Sequence, residues 1–597
     1  MALPVGLKLG EIDWERCSEP DCVGVAALDG LCVRHGMVHG ADAVAAVLAQ
    51  QRADGQLDLR GVEIDRELLA LATTSGRFED GRRILGGARF DWASLKADVT
   101  LADVRFDKEV GFVGTRFAGR LSLDGVRFAD STSFQGARFE DVVLDGVEFG
   151  GSLLFDQAEL QGQLLVTGTQ FGRVASFRSV TFADVVLTDS RFLRDAILQR
   201  CTFGGTLSIT RLRFDRDATF SDSRFTGAEI DEMTVLGDLW LDRVTTMEPV
   251  TLRAGARSLM IRGAQLGRSV NLELARAEVL LDKTSFAEPS VLTTDPTMDD
   301  DELKESCWTR DRPRFERSER ARILSLQRAN VEKLTLGQVD LRACRFFGAY
   351  HLSDLSIEAP DAFAFTPRGG RWSRRQSIAE EQEWQRRPGR GASAWAEGAA
   401  RVPTSAPPLQ PLGPTDIAAI YRALRKGREE GKDEPGAADF YYGEMEMRRR
   451  SRRPAAGSLS ETGPKWLAER MILSAYWLVS GYGLRATRAL AVLLAVLVVC
   501  TPALYLYGFQ ERDEPFARPA EVRASERLRW PPPADELWDG LTSADAWAYS
   551  LGTATSVIGA PESQLTSGGR FLRITLRVLG PLLIALAILA IRARVKR

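Results

Sequence analysis

Large apolar residues recur along the chain at alternating intervals of five and six residues. One set runs at steps of ten or eleven from Phe106 through Phe117, Phe128 and Phe139 to Phe225, and a second set lies midway, at positions such as Phe112, Leu123, Phe134, Leu144 and Leu165. Neither an α-helix nor a flat strand keeps one face apolar at such steps. Short straight segments separated by turns do, when each coil lies on the previous one about 4.8 Å away. The pattern predicts a β-solenoid, mainly β in class.

The solenoid is predicted to span residues 51–363. Leu57–Ile64 reads as a first coil followed by a helical insert at Arg66–Thr73, and weaker matches continue through Leu252–Leu272 and Leu334–Ile357. A charged stretch interrupts the pattern, so an insert is expected near 296–328. Cys201 and Cys344 fall at small inward positions two residues before a Phe, which indicates core packing rather than metal binding.

Two apolar runs near the C-terminus, Ala489–Phe509 and Phe571–Ile591, have the length of about 20 residues that a bilayer-spanning helix needs. Basic residues flank them on the outer sides (Arg485, Arg488, Arg592, Arg594, Lys596, Arg597), which by the positive-inside rule predicts a multi-pass cell (inner) membrane protein with both termini cytoplasmic. Residues 485–597 are therefore expected to form a two-helix membrane domain. Buried core helices are the alternative, disfavoured because the first run carries no charge.

Between the solenoid and the membrane runs, residues 364–414 are rich in Pro, Gly and Arg, and we expect a flexible linker, with a short helix at Ser377–Arg386. Residues 415–484 are predicted to form a helical hairpin and a juxtamembrane helix. That last helix, Lys465–Leu484, either lies on the inner leaflet or packs on the rest of the chain. The arginines between Arg448 and Arg453 either face anionic lipid or form a solvated helix end.

A Cys/His cluster stands out in the first fifty residues, predicted as a zinc-knuckle-like cap. Cys17, Cys22, Cys32 and His35 follow the spacing C-x4-C-x9-C-x2-H, which is typical of a closed tetrahedral zinc site. Because protein atoms fill all four positions, we expect a structural rather than catalytic ion. Unrelated thiols, or His39 as the fourth ligand, are the alternatives.

Composition excludes several classes of protein. The 597 residues carry 78 Lys+Arg and 81 Asp+Glu, so no nucleic-acid partner is expected. With three histidines and no Ser/His/Asp set, nucleotide loop or open metal site, the chain is not expected to be an enzyme. Its preference for Arg over Lys is typical of a GC-rich bacterial genome.

Phe90–Val235 resembles the pentapeptide-repeat family. The resemblance implies a right-handed, four-sided (quadrilateral) β-helix with about 20 residues per coil. Some members mimic duplex DNA, which needs a strongly negative surface, and the mixed charge here argues against that role.

Ala546–Pro561, between the apolar runs, resembles the pore helix and filter of two-helix potassium-type channels. Ser550, Thr553, Thr555, Ser556 and Val557 fall at the pore positions, whereas Ile558 and Ala560 replace the glycines that a carbonyl filter needs. The resemblance implies a re-entrant segment near 546–561 and a tetramer, with potassium selectivity lost. The alternative is an extracellular half-helix that only packs against the two spans. The string ADFYYGEMEMRR also resembles one in membrane-attached pentapeptide-repeat proteins.

Two functions follow from the sequence. The first is a membrane-anchored cytoplasmic scaffold without catalysis, whose solenoid binds an unidentified protein partner. The second is an ion-channel-like protein or channel-derived sensor, in which the solenoid gates a homo-oligomeric pore.

Overall fold

The structure is a computed structural model that describes residues 12–74, 77–79, 81–298, 320–367, 374–386, 412–451, 464–508, 543–555 and 565–595. Two compact units divide the chain, Met1–Leu412 and Gly413–Arg597. The first unit holds the solenoid and the second is helical, and each is described separately below.

The first unit is a β-solenoid of about 12 turns. Short parallel strands lie in four stacks, and the chain returns to the same stack at every fourth strand. Arg116 pairs with Arg138, Leu121 with Val142 and Val250 with Val270, so a coil takes 20 to 22 residues. The predicted four-sided β-helix is confirmed.

The strands are grouped here by face, in chain order. Face 1 contains Gln56–Asp58, Gly87–Arg89, Val110–Gly111, Thr132–Ser133, Leu153–Leu154, Ala175–Ser176, Ala196–Ile197 and Ala218–Thr219. Face 2 contains Glu63–Ile64, Ser94–Leu95, Arg116–Phe117, Arg138–Phe139, Glu159–Leu160, Thr181–Phe182, Thr245–Thr246, Gln265–Leu266 and Ser285–Phe286. Face 3 contains Val99–Ala102, Leu121–Asp124, Val142–Asp145, Leu164–Thr167 and Val185–Thr188. Face 4 contains Arg82–Leu85, Val104–Phe106, Arg127–Phe128, Glu148–Phe149, Gln170–Phe171, Arg191–Phe192 and Arg213–Phe214.

Towards the C-terminal end of the solenoid, some strands continue from one face to the next without a break. Thr202–Thr210, Arg224–Trp240 and Val250–Met260 each pair with strands of more than one face. The remaining solenoid strands are Val270–Ala275, Glu278–Leu280, Ser290–Thr294, Arg322–Ser325, Leu334–Leu336 and Ser356–Ile357. Arg322–Ser325 pairs with Glu278–Leu280, so the chain is back in the solenoid within the interval where an insert was expected. The middle of that interval, residues 299–319, lies outside the described residues.

Phenylalanine rings fill the tube and repeat with the coil. On face 4 the ring centroids of Phe106 and Phe128 lie 5.1 Å apart, those of Phe128 and Phe149 5.1 Å, and those of Phe149 and Phe171 5.5 Å, all nearly parallel. One inward assignment was wrong by a residue: Val166 is buried and pairs with Leu144, whereas Leu165 is half-buried. The coil there is one residue longer than its predecessor, so the inward position moves by one.

Aspartates at one corner bond to the next coil. Asp98, Asp141 and Asp184 each accept a hydrogen bond from a backbone amide 22 residues later, at 2.8–3.0 Å. Each carboxylate folds over a glycine, and a Cβ added at Gly119, Gly162 or Gly205 would lie 2.2–2.5 Å from its oxygen. Glycine is required at these positions because the carboxylate occupies the space of a side chain.

Two helices belong to the N-terminal end of the solenoid, α1 (Ala41–Ala53) and α2 (Arg66–Thr74). Helix α2 is the helical insert that the sequence predicted at Arg66–Thr73. Together with the hairpin strand Arg77–Glu79, it stands where the first coil would have its face 3 strand.

The C-terminal end is closed by a hairpin (Ala364–Phe365 with Gln376–Ser377) and helix α3 (Ala379–Arg386). Along face 1 the amide of Leu326 donates to the carbonyl of Arg345 in the next coil. At Phe346, one coil further, Oε1 of Glu380 accepts the amide hydrogen bond instead, at 2.5 Å. Helix α3 therefore caps the last coil and lies within the short helix predicted at Ser377–Arg386. The part of the predicted linker after Arg386, up to residue 411, lies outside the described residues.

Buried charge accompanies this cap. Arg375 and Glu381 form a pair with Nη2–O distances of 2.7 and 2.6 Å, and both side chains are buried. Burial raises the pKa of Glu380 to about 7, although the amides of Phe346 and Phe347 act in the opposite direction.

The helical unit begins with a hairpin of α4 (Pro414–Glu430) and α5 (Glu434–Ser451), followed by α6 (Pro464–Ser480). Its last helices are α7 (Ala486–Tyr507), α8 (Ser543–Thr555) and α9 (Ser567–Val595). By length and composition, α7 and residues Ser567–Arg592 of α9 could span a membrane. Tyr421 and Phe440 are fully buried between the hairpin helices, with ring centroids 5.8 Å apart.

Phe139→Asp is expected to unfold its coil and the coils beside it. The ring is 1% exposed and lies 4.8 Å from that of Phe117. Truncating a buried Phe already costs about 3–5 kcal/mol, and a buried carboxylate costs more. The β signal in circular dichroism should be lost at a lower temperature. Phe139→Leu should cost much less, because Leu160 occupies the same position in the next coil. Equal melting of both variants and the wild type would contradict the assigned register.

The C-terminal cap is expected to weaken as pH rises. Because the folded pKa of Glu380 is raised from 4.5 to about 7, its stabilising contribution is complete below pH 4.5 and is lost as pH rises through about 7. After correction for the intrinsic rate, hydrogen exchange at Phe346 and Phe347 should be faster at pH 8 than at pH 6. Glu380→Gln should remove that difference, and Glu332→Gln, an exposed position, should leave it in place.

Candidate metal centre

Two tight loops bring the cysteines together. The amide of Cys17 donates to the carbonyl of Gly24 at 2.8 Å, which closes the first loop around Cys22. Cys32 follows a second turn, where the amide of Leu31 donates to the carbonyl of Leu28. His35 lies three residues after Cys32 and begins a short 3₁₀-helix, His35–His39.

The four predicted ligands form one cluster, with all their ligand atoms within 4.8 Å of one another. Nδ1 of His35 lies 3.3 Å from Sγ of Cys17 and 3.5 Å from Sγ of Cys32, and the sulfurs of Cys22 and Cys32 are 3.9 Å apart. Metal–ligand bonds of about 2.3 Å to sulfur and about 2.0 Å to nitrogen at tetrahedral angles give ligand separations of roughly 3.5–3.8 Å. The cluster could therefore bind a metal ion. His39 is not part of it.

The surroundings of the cluster are closely packed. A Cβ added to Gly24 would lie 3.0 Å from Cβ of Cys32, and the Gly24 amide points to Sγ of Cys22 at 3.4 Å. Burial raises the pKa of the Cys32 thiol to about 12. Burial also acts to raise the pKa of the Cys17 thiol. Hydrogen bonds, chiefly from the backbone at Cys32 and Glu19, outweigh burial and lower that pKa to about 7.

The cluster is built on the first coil of the solenoid. The amide of Val25 donates to the carbonyl of Arg60 at 2.8 Å, and the indole of Trp14 donates to the carbonyl of Val23. The guanidinium of Arg60 lies over the Trp14 ring and pairs with Asp58. The Cys/His loops thus cover the open end of the β-helix.

The remaining cysteines on the solenoid are core residues, as predicted. Cys201 and Cys344 are both buried. The thiol of Cys201 donates to the carbonyl of Phe177. Within the described residues they are not part of a ligand cluster.

The predicted pore residues are only partly described. Ser550 and Thr553 are buried on α8, and Thr555 is exposed at its end. Ser556 and Val557 lie outside the described residues, so the filter segment stays a prediction. Helix α8 itself packs against both α7 and α9.

Sequence reasoning missed two buried carboxylates on α5. Glu444 pairs with Arg422 and Arg448, and Glu446 pairs with Arg449 and Arg450. Arg448, Arg449 and Arg450 are therefore each paired with a buried carboxylate. Arg452 and Arg453 lie outside the described residues, and the two interpretations of this arginine cluster, contact with anionic lipid or a solvated helix end, stay predictions. The i,i+4 spacing of Glu444 to Arg448 and of Glu446 to Arg450 is the signal that could have shown it.

The structure adds no catalytic constellation among the residues it describes. His35 lies in the Cys/His cluster, and His39 is exposed. His351 lies at the surface, with Nδ1 3.3 Å from a carboxylate oxygen of Asp354.

Comparison with known proteins identifies the repeat. A family model described as pentapeptide repeats (9 copies) matches residues 112–159. No curated protein and no solved structure matches the chain. The matched residues lie in the middle of the β-solenoid, in the coils that stack Phe112 on Phe134 and Phe117 on Phe139, so this part of the tube is made of pentapeptide repeats.

Proposed function

We propose that the protein is a membrane-anchored scaffold without catalysis, whose solenoid presents a rigid surface to a protein partner on the cytoplasmic side of the inner membrane. The observation that carries the proposal is one chain with a capped solenoid of about 12 turns and two helices apolar enough to span a bilayer. Repeat solenoids bind through extended surfaces because each coil contacts only its neighbours and leaves its outer faces free.

The outer faces favour a protein partner over a nucleic acid. Charges there pair between adjacent coils, for example Arg127 with Glu148, Arg211 with Asp189 and Arg243 with Asp222. Such ladders neutralise the surface, whereas a nucleic-acid binder or a DNA mimic needs a continuous excess of one sign.

If the anchor is correct, the full chain should stay in the membrane pellet after extraction at alkaline pH, because a spanning helix is held by apolar burial and not by charge. Purification from mild detergent after chemical crosslinking should then place the partner's crosslinks on the solenoid faces. Release of the chain into the alkaline supernatant would contradict the anchor. Crosslinks confined to residues after 413 would contradict the scaffold surface.

A channel-like function is the second candidate, favoured by the 13-residue helix α8 that packs against both apolar helices. A pore built from two-helix subunits needs several copies around an axis, four in the family that the sequence resembles. Light scattering in mild detergent should then report a tetramer, and liposomes should show ion flux. A monomer would exclude this candidate and leave the scaffold unaffected.

We propose zinc as the ion of the Cys/His cluster, because three thiols and one imidazole at these separations suit a tetrahedral structural site. Bound zinc would supply no chemistry beyond crosslinking the loops, since protein atoms fill every position.

Cys17→Ser should therefore lower zinc from about one per chain to near zero, measured by elemental analysis. The same change should speed hydrogen exchange in residues 12–40, because the loops lose their crosslink. Cys201→Ser, a buried thiol outside the cluster, is the matched control and should keep its zinc. A wild-type protein without zinc would refute the assignment.

A further inference from the structure

The turn between α6 and α7 has an unusual backbone. Gly481, Tyr482 and Gly483 have φ angles of 55°, 60° and 75°, so three successive residues are left-handed. Glycine adopts this conformation freely, but a tyrosine pays a steric cost that the surrounding structure must offset. The turn is also tight, since a Cβ added at Gly483 would lie 2.7 Å from the hydroxyl of Tyr476.

The compensating contacts come from α5 and α6. The side chain of Tyr482 is 1% exposed, and its hydroxyl donates to Oε2 of Glu446 at 3.1 Å. Its ring packs edge-on against Tyr442 and Tyr476, with centroids 5.1 and 5.8 Å away. Tyr482, in the turn that precedes α7, is thus held by a residue of the preceding hairpin.

Glu446 is itself buried and charged. Burial opposes its ionisation, but Arg449 and Arg450 outweigh this effect and keep the pKa below its usual value. Nη2 of Arg449 lies 2.9 Å from Oε1, and Nε of Arg450 lies 2.8 Å from the same oxygen. A buried carboxylate with this set of donors has a fixed position, which makes it a rigid acceptor for Tyr482.

Trp477 extends the contact to the start of α7. Its indole donates to the hydroxyl of Tyr442 at 3.0 Å. The guanidinium of Arg449, from α5, lies 4.6 Å from the ring centroid, and that of Arg488, in the first turn of α7, lies 5.1 Å from it. One ring therefore bridges the hairpin and the first apolar helix.

We propose that Glu446 and Tyr482 form a latch that fixes the α4–α5 hairpin to the entrance of α7, so that a displacement of the hairpin is transmitted to the first apolar helix. The inference rests on the proposed membrane anchor for its functional meaning. Opening the latch would expose Glu446 to solvent and release the left-handed backbone at Tyr482 from the contacts that hold it.

The test is hydrogen exchange of the full chain in detergent, with Tyr482→Phe and Glu446→Gln compared with the wild type. Tyr482→Phe removes only the hydroxyl and leaves the Glu446–arginine pairs in place. Exchange should rise about ten-fold in both residues 437–447 and 480–485, the effect of losing one hydrogen bond to a charged group. Residues 489–500 and the solenoid should exchange as in the wild type, which shows that the variants are folded.

Tyr505→Phe, an exposed tyrosine on α7, is the matched control and should change neither segment. Glu446→Gln also weakens the pairs with Arg449 and Arg450, so it should be the faster single variant. The double variant should exchange no faster than Glu446→Gln, because the contact between Tyr482 and Glu446 is already lost there. Unchanged exchange in Tyr482→Phe, or a change confined to residues 480–485, would overturn the latch. Because this measurement does not depend on alkaline extraction, failure of the membrane anchor and failure of the latch are distinguishable.

Discussion

The stacking of one coil on the next is the interaction on which the solenoid depends. Backbone amides of each coil bond to carbonyls about 20 to 22 residues away, and inside the tube a ring such as Phe128 lies between Phe106 and Phe149. Neither a single coil nor an isolated strand of two residues could bury such rings or satisfy its own backbone. The stability of each coil therefore depends on its contacts with the coils before and after it.

A stack of this kind has a weakness at its two ends, where a coil lacks a partner. At the start, the Cys/His loops supply hydrogen bonds to the first coil, such as Val25 to Arg60. At the C-terminal end, the carboxyl group of Glu380 accepts the hydrogen bond of the Phe346 amide, which a carbonyl of a further coil would otherwise accept. The two caps use different chemistry for the same need, which is to satisfy open backbone groups without offering an edge for another chain to extend.

The helical unit uses buried charge differently, to fix the relative positions of helices. Glu444 joins α5 to Arg422 of α4, and Glu446 joins α5 to the turn before α7. A buried carboxylate that stays ionised, as Glu446 does beside Arg449 and Arg450, needs its partners in place, so it tolerates few alternative arrangements of the surrounding helices. This specificity suits a fixed joint between the α4–α5 hairpin and the first apolar helix.

The sequence by itself determined the repeat, most of the inward residues and the grouping of Cys17, Cys22, Cys32 and His35 into one cluster, because these depend on local spacing. It placed α2 within one residue, since a helical period interrupts a five-residue one there. Longer-range features were decided only by the tertiary structure. The shift from Leu165 to Val166 depends on the length of the neighbouring coil, and the capping of Phe346 by Glu380 joins residues 34 positions apart. Tyr482 reads as an ordinary aromatic residue until Glu446 is seen beside it, because burial and pairing arise only when distant segments pack together.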